Sequence, residues 1–303
     1  MAEIELLLVA NERYCAHLAT LLMSVAASSD HAVRANVITN DITSSSRVKV
    51  QLAAPSIEIR WLECESMAML PMAMNGVDLI SYGRLFAPRQ LEGWVDRVIY
   101  LDVDTLVRRD LGDLWEFDLK GKGIGAVRDH CVVWIGHPRL GIPDYERFGL
   151  IGRSPYFNAG VMVIDIDMWM RTGIDDACHD YITKQTTFRF GDQDVLNAVF
   201  HDNWIDLPME WNVFANLELW PMIEIERSKG EVESARLDPA IVHFASSRKP
   251  WSLDRREELL FADEWRSFAE AGPFSRRYRC LALTQRVVTP VANLARAMVP
   301  KYR

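Results

Sequence analysis

The feature that most constrains this chain is the regular exchange of strand-length apolar runs with helical periodicity, beginning at its first residues. Ile4 to Ala10 is an apolar run of strand length, and Leu18, Leu21, Leu22 and Val25 then recur at helical spacing. Val33 to Thr39 reads as the next strand, and Ile57-Glu58-Ile59-Arg60-Trp61-Leu62 alternates as a half-exposed strand does. Tyr82 to Leu91 then reads as a helix and Val98 to Leu101 as another buried strand. Strands that are apolar throughout need cover on both faces, and helices between them provide it. The expected fold is therefore α/β with a mostly parallel central sheet. At 303 residues and 49% hydrophobic, the chain has ample material for such a core.

One strand runs straight into acid. In Arg97-Val98-Ile99-Tyr100-Leu101-Asp102-Val103-Asp104-Thr105, two carboxylates stand two residues apart at a strand's end. On an extended backbone such positions share a face, so Asp102 and Asp104 are expected to converge on one cation. Hard oxygen ligands suit Mg²⁺ or Mn²⁺, which bind phosphates through a few carboxylates. The carboxyl edge of an open α/β sheet is also where ligands bind. Asp-x-Asp is nonetheless a short pattern that Asp165-Ile166-Asp167 and Asp192-Gln193-Asp194 also fit, and turns and helix caps are its ordinary causes. Asp165 or Asp167, before Met168-Trp169-Met170, reads as a cap, and Asp192, between Gly191 and the run from Val195, reads as a helix start.

Further segments follow in order. Tyr156-Phe157-Asn158-Ala159-Gly160-Val161 leads into an apolar strand, and Gly191-Asp192-Gln193-Asp194-Val195-Leu196-Asn197 opens a helix. Leu207-Pro208 with Trp211-Asn212 comes next, then Ile241-Val242-His243-Phe244 with Lys249-Pro250-Trp251. Together with the Leu-Asp-Val-Asp segment, this succession resembles glycosyltransferase family 8 over roughly residues 4 to 252. These are retaining transferases that include bacterial lipooligosaccharide α-galactosyltransferases and glycogenin.

The resemblance implies a single GT-A-type, Rossmann-like domain over residues 1–270. It implies metal-dependent, retaining transfer of galactose or glucose from UDP-galactose or UDP-glucose. The acceptor would be a saccharide or glycolipid of the lipopolysaccharide or lipooligosaccharide type. It makes His243 the third metal ligand; without it, a lone histidine after an apolar strand reads as a core residue. One imidazole among oxygens favours Mn²⁺ over Mg²⁺. Lys249 is placed near the β-phosphate, and Ser246 stands where the family usually has Gly, with a hydroxyl able to donate to phosphate. Asn11 stands where Asp is common, and its amide oxygen can still accept from uracil N3–H; Tyr14 would stack on the base. Arg84, Asp129, Asn158 and Asp192 match positions that hold the donor sugar. Apart from the family, each of these has a plain structural reading, as a helix surface residue, turn, cap or packing residue. Gln193 occupies a position where a retaining hydrolase would need a carboxylate nucleophile. An amide is a poor nucleophile, so the expected route is front-face substitution through an oxocarbenium-like state. Gln193 and Asp192 would stabilise its charge, and the leaving phosphate would take the acceptor's proton.

Composition narrows the setting. A net charge of −8 disfavours nucleic-acid binding through phosphate neutralisation. Cys15, Cys64, Cys131, Cys178 and Cys280 are odd in number and widely spaced, which argues against a disulfide framework and for a reducing, cytoplasmic compartment. The start of the chain lacks the basic, long-apolar form of a secretory signal, and no apolar run reaches the about 18 residues of a membrane span. From Ala271 to Arg303 there is no acid, while Arg276, Arg277, Arg279, Arg286, Arg296, Lys301 and Arg303 are interleaved with Leu and Val. Residues 271–303 therefore read as a basic amphipathic helical tail, broken at Pro290, that would hold the protein peripherally on an anionic inner membrane face. The competing reading is a basic helix packed on the protein's own acidic body. A metal-dependent UDP-sugar hydrolase and a non-catalytic nucleotide-sugar binding module are the alternatives to a transferase. Loops at Met67 to Gly76 and Cys131 to Pro155 are expected to shape the acceptor cleft.

Overall fold

The computed structural model describes residues 3–63, 79–185, 187–252, 259–276 and 278. The expected loop at Met67 to Gly76 and the tail beyond Tyr278 lie outside the described residues. A seven-stranded sheet forms the centre. Its strands are β1 (Ile4–Val9), β2 (Val33–Thr39), β3 (Glu58–Glu63), β4 (Arg97–Leu101), β6 (Ile124–Arg128), β7 (Phe157–Asp165) and β8 (Trp204–Asp206), in the order β3-β2-β1-β4-β7-β6-β8. The short strands β5 (Thr105–Val107), β9 (Val213–Phe214) and β10 (Ile241–His243) form a second sheet, in the order β5-β10-β9.

Every residue of β1 is buried, and alternate side chains feed different cores. Leu6 and Leu8 join Ile99, Leu101, Val161 and Val163 on one face, whereas Leu7 and Val9 join Val98, Tyr100 and Met162 on the other. Glu5 is tolerated inside this strand because Arg34 and Asn36 of β2 bind its carboxylate. The helix Cys15–Ser28 carries β1 over to β2 and buries Leu18, Leu21, Leu22 and Val25. The helix Ser44–Ala53 makes the next crossover, and Thr43 caps it by accepting from the Ser46 N–H.

β1, β2, β3 and β4 run parallel, as do β6 and β8, and β7 runs antiparallel to both β4 and β6. This reversal sets the site, because it lays the start of β7 beside the end of β4. Leu101 pairs with Val161, and the Asp102 N–H donates to the Gly160 carbonyl at 2.8 Å. In the small sheet, His243 pairs with Thr105 on one side and Phe214 on the other.

One expected helix is different. In place of a helix over Tyr82 to Leu91 there are two successive 3-10 helices, Leu79–Leu85 and Ala87–Leu91. Pro88 has no N–H to give the Arg84 carbonyl, and its ring would clash with that carbonyl, so an α-helix cannot run through. The segment from Cys131 to Pro155 has little regular structure but is stitched to itself. Ile135 and Gly136 donate to the carbonyls of Ser154 and Gly152, each at 2.9 Å.

Candidate active site

β4 stops at Leu101 and the chain turns. The Thr105 N–H and hydroxyl both donate to the Asp102 carbonyl, at 3.1 and 2.8 Å, which closes a turn over Asp102 to Thr105. The two carboxylates thus meet because a turn folds them together. They do not converge by the expected alternation along an extended strand, because β4 has already ended at Leu101. His243 faces the turn from the end of β10. Ligand atoms of Asp102, Asp104 and His243 all lie within 4.8 Å of one another. His243 Nε2 is 3.7 Å from Asp102 Oδ2 and 3.4 Å from Asp104 Oδ1.

Three further features hold this group. Tyr100, two residues before Asp102 and on the buried end of β4, donates its hydroxyl to Asp102 Oδ1 at 2.8 Å. Asn212 Oδ1 lies 2.9 Å from His243 Nδ1. Gly160 leaves room for the ring, since a Cβ there would come within 2.2 Å of His243 Cε1 and 2.9 Å of Asp102 Oδ2. Two carboxylates and one imidazole around a space kept clear of a side chain fit a divalent cation such as Mn²⁺ or Mg²⁺. Lys249 Nζ donates to Asp104 Oδ2 and to the Phe244 carbonyl. Burial works against the Asp104 charge, but Lys249 and His243 outweigh it and hold the carboxyl well below the usual range.

A second cluster adjoins the first. Arg84 spans the two, with Nη2 at 3.0 Å from Asp102 Oδ1, Nε on Asp192 Oδ2 and Nη1 donating to the Ala159 carbonyl. Its guanidinium lies over the Tyr100 ring. Asp192 opens the helix Asp192–Val199, entered through Gly191 at φ +56°, a left-handed conformation that suits glycine. Burial pushes the Asp192 carboxyl up to about 6, against the pull of Arg84 and with help from the Asp102 charge. Gln193 Oε1 accepts from Asn158 Nδ2 at 2.9 Å and from the Ala159 N–H at 3.0 Å. Its Nε2 donates to Asp129 Oδ2 and the Tyr156 hydroxyl, at 3.1 and 3.3 Å. Asp129 is held in turn by the N–H groups of Cys131 and Val132 on its Oδ1 and by Asn158 on its Oδ2.

Arg84, Asp102, Asp104, Asp129, Asn158, Asp192, Gln193, His243 and Ser246 all line one cleft of about 630 Å³. Four carboxylates, Asp102, Asp104, Asp129 and Asp192, face the fixed cations Arg84 and Lys249, a surplus of negative charge that a divalent cation would balance. Ser246 ties its own loop, donating to the Arg248 carbonyl and accepting from the Arg248 N–H. Asn11 and Tyr14 follow β1, beside β4, but are not among the residues that line the cleft. Tyr14 meets the His17 ring edge-on, and His17 stacks on Trp251 of the Lys249 loop at 3.7 Å. Sequence reasoning gave no role to Tyr100, Gly160 or Asn212, nor to the Arg248–Glu218 pair at the cleft. A lone glycine inside the apolar Phe157–Asp165 run was the one available sign, since it marks a close approach.

Comparison with known proteins identifies the family and the fold. The model of Glycosyl transferase family 8 matches residues 5–254. The chain is 34% identical over 190 residues to glycosyltransferase GlyF of Streptococcus pneumoniae serotype 4, covering 60% of this chain and 41% of that protein. It thus spans less than half of GlyF. It is 26% identical over 270 residues to general stress protein A of Bacillus subtilis, covering 84% of this chain and 89% of that one. Among solved structures, the galactosyltransferase LgtC in complex with donor and acceptor sugar analogues shares the fold, with TM-score 0.72 and 23% identity. That match covers 89% of this chain and 96% of LgtC.

Proposed function

Since this chain belongs to glycosyl transferase family 8, we propose that it transfers galactose or glucose from a UDP-sugar to a saccharide acceptor, with retention of configuration and dependence on a divalent metal. The observation that carries this reading is the meeting of Asp102, Asp104 and His243 in one cleft with the Gln193–Asp129–Asn158 cluster. Mn²⁺ or Mg²⁺, when bound, supplies Lewis acidity to the departing diphosphate. Lys249, now at Asp104, is the ammonium placed to meet phosphate charge as the sugar leaves. Asn11 and Tyr14 are assigned to the uracil, and Ser246 to the phosphate side of the cleft. Arg84, Asp129, Asn158 and Asp192 are assigned to the donor sugar.

The state of Gln193 supports front-face substitution. Its carbonyl oxygen already accepts two hydrogen bonds, which further weakens an amide that is a poor nucleophile toward the anomeric carbon. Asp192 beside it offers negative charge to an oxocarbenium-like state, and the leaving phosphate takes the acceptor's proton. For the acceptor we propose a lipopolysaccharide-type glycan, in keeping with the bacterial lipooligosaccharide transferases of the family.

The test is UDP release from UDP-galactose and UDP-glucose with Mn²⁺, measured with and without candidate acceptors. Release that an acceptor stimulates is the expected result. Acceptor-independent release would make the protein a hydrolase, and binding without release a nucleotide-sugar module. Proton NMR of the first-formed product is expected to show an α-linkage; a β-linkage would overturn the retaining assignment.

A further inference from the structure

The Trp211-Asn212 segment has a part to play that motif matching does not supply. We propose that Asn212 is a positioning residue, the last member of an amide relay that fixes which nitrogen of His243 faces the metal. The inference rests on the reading of Asp102, Asp104 and His243 as metal ligands.

The relay begins at a group whose role cannot change. The backbone N–H of Gly160 can only donate, and it lies 3.0 Å from one terminal atom of Asn158. That atom is therefore the amide oxygen, Oδ1. The other end of the amide, Nδ2, then faces two oxygens, Asp129 Oδ2 and Gln193 Oε1, as an NH₂ group should. Gln193 is fixed independently, because the Ala159 N–H must donate to its Oε1. Asn158 Oδ1, now known to be an acceptor, meets Asn212 at 2.9 Å, so Asn212 presents its Nδ2 there. Its remaining atom, Oδ1, must be the one 2.9 Å from His243 Nδ1.

An amide oxygen accepts and never donates. His243 Nδ1 therefore carries a hydrogen, and in the neutral ring the lone pair sits on Nε2, the atom that faces Asp102 and Asp104. This is the tautomer that metal ligation through Nε2 requires. Burial keeps solvent from competing, since Asn212 is 0% and His243 3% exposed. Phe214 meets the imidazole edge-on at 84° and limits its rotation. The same relay touches the donor-sugar cluster at Asn158, so ring orientation and that cluster share one hydrogen-bond register.

The test measures Mn²⁺ affinity of the full chain without nucleotide, from the EPR signal of free Mn²⁺, alongside thermal melts. His243→Ala sets the size of the effect that losing the ligand produces. Asn212→Ala is expected to weaken Mn²⁺ binding by roughly 10- to 100-fold, as outer partners of metal-bound histidines do. Asn212→Asp keeps an oxygen to accept from Nδ1–H but loses the N–H that Asn158 receives. Its Mn²⁺ affinity is expected within about threefold of wild type even as its melting temperature falls. Asn212→Ala that binds Mn²⁺ as wild type does would overturn the inference. So would Mn²⁺ affinity that simply follows stability in both variants, the behaviour of a packing residue. If Asn212→Ala does not fold, Asn212→Asp decides alone, since a loss of affinity in step with its stability overturns the relay. A silent His243→Ala would instead refute the ligand assignment, and the inference with it, a result distinct from a silent Asn212→Ala beside a damaged His243→Ala.

Discussion

Gly160 has no side chain because the His243 ring begins where one would stand. A Cβ at 2.2 Å from Cε1 cannot be absorbed without moving the imidazole away from Asp102 and Asp104. Gly160→Ala is therefore expected to fold, to lose Mn²⁺ binding and to lower turnover by about 10² or more. A variant with normal metal affinity would show that the ring has room the geometry denies. Asp104→Asn is expected to cut turnover by ~10² or more, and chelation with EDTA to abolish it, because the diphosphate charge then goes unanswered. Full activity in either case would remove the metal from the reaction. Asp192 should set the acid side of the pH profile. Asp104 ionises far below neutrality, whereas Asp192 is pushed up to about 6, so kcat/KM should fall as pH drops through that value. The residual activity of Asp192→Asn should lack this limb; an unchanged limb would assign it elsewhere. For stability the sign is opposite. A raised carboxyl favours the folded state below its ordinary value, and that contribution is lost as pH rises through about 6.

At the scale of elements, the start of β7 is held by a side chain that behaves like a neighbouring strand. Asn197, on the helix that carries Gln193, accepts from the Phe157 N–H at 2.8 Å and donates to the Phe157 carbonyl at 2.9 Å. Asn197→Leu leaves both backbone groups unpaired in a buried site, at a cost of about 1–3 kcal/mol each. It is expected to lower the melting temperature and to reduce turnover by loosening Gln193 against Asn158. A stable variant with intact turnover would show that helix and strand are held in register by packing alone. β1, β2, β4 and β7 were legible in the sequence because each is a largely buried run and periodicity records burial directly, and β3 showed by its alternation, whereas β5, β6, β8 and β9 left no such mark. Asp102, Asp104 and His243 were legible as a group only through the resemblance of their ordered segments to the family, since His243 lies far from the two acids in the sequence. The turn that joins the carboxylates was not, since the same two residues satisfy a pleat and a turn equally well. Nor was the break at Pro88, which apolar periodicity overran, or the roles of Tyr100, Gly160 and Asn212. Those depend on approaches between β4, β7, β9 and β10, and no local pattern encodes the distance between elements remote in sequence.

The molecule as a whole closes on an aromatic stack. Tyr278 is buried, its hydroxyl pairs with His17 Nδ1 at 2.9 Å, and its ring meets Trp265 of the helix Ala262–Ala271 nearly at right angles. His17 in turn stacks on Trp251, two residues from Lys249. Part of the segment expected to be tail is thus packed on the body, while residues 279–303 lie outside the described residues. Among the described residues no helix is long and apolar enough to cross a membrane. Truncation after Tyr278 is expected to preserve folding and turnover on a soluble acceptor, whereas truncation after Pro273 should lower the melting temperature by stripping the His17 stack. If the basic residues beyond Tyr278 serve as an anchor, only the full chain should float with anionic vesicles. Equal flotation after truncation at Tyr278 would eliminate the anchor. The turn from Asp102 to Thr105 also binds the history of this molecule. It is the splice between the two sheets, so an inserted or deleted codon there would shift β5 against β10 and carry Asp104 away from Asp102, which β4 and Gly160 hold in place, in a single step. A lineage can drift at Val103 by small replacements, but it cannot change the length of that turn by gradual steps.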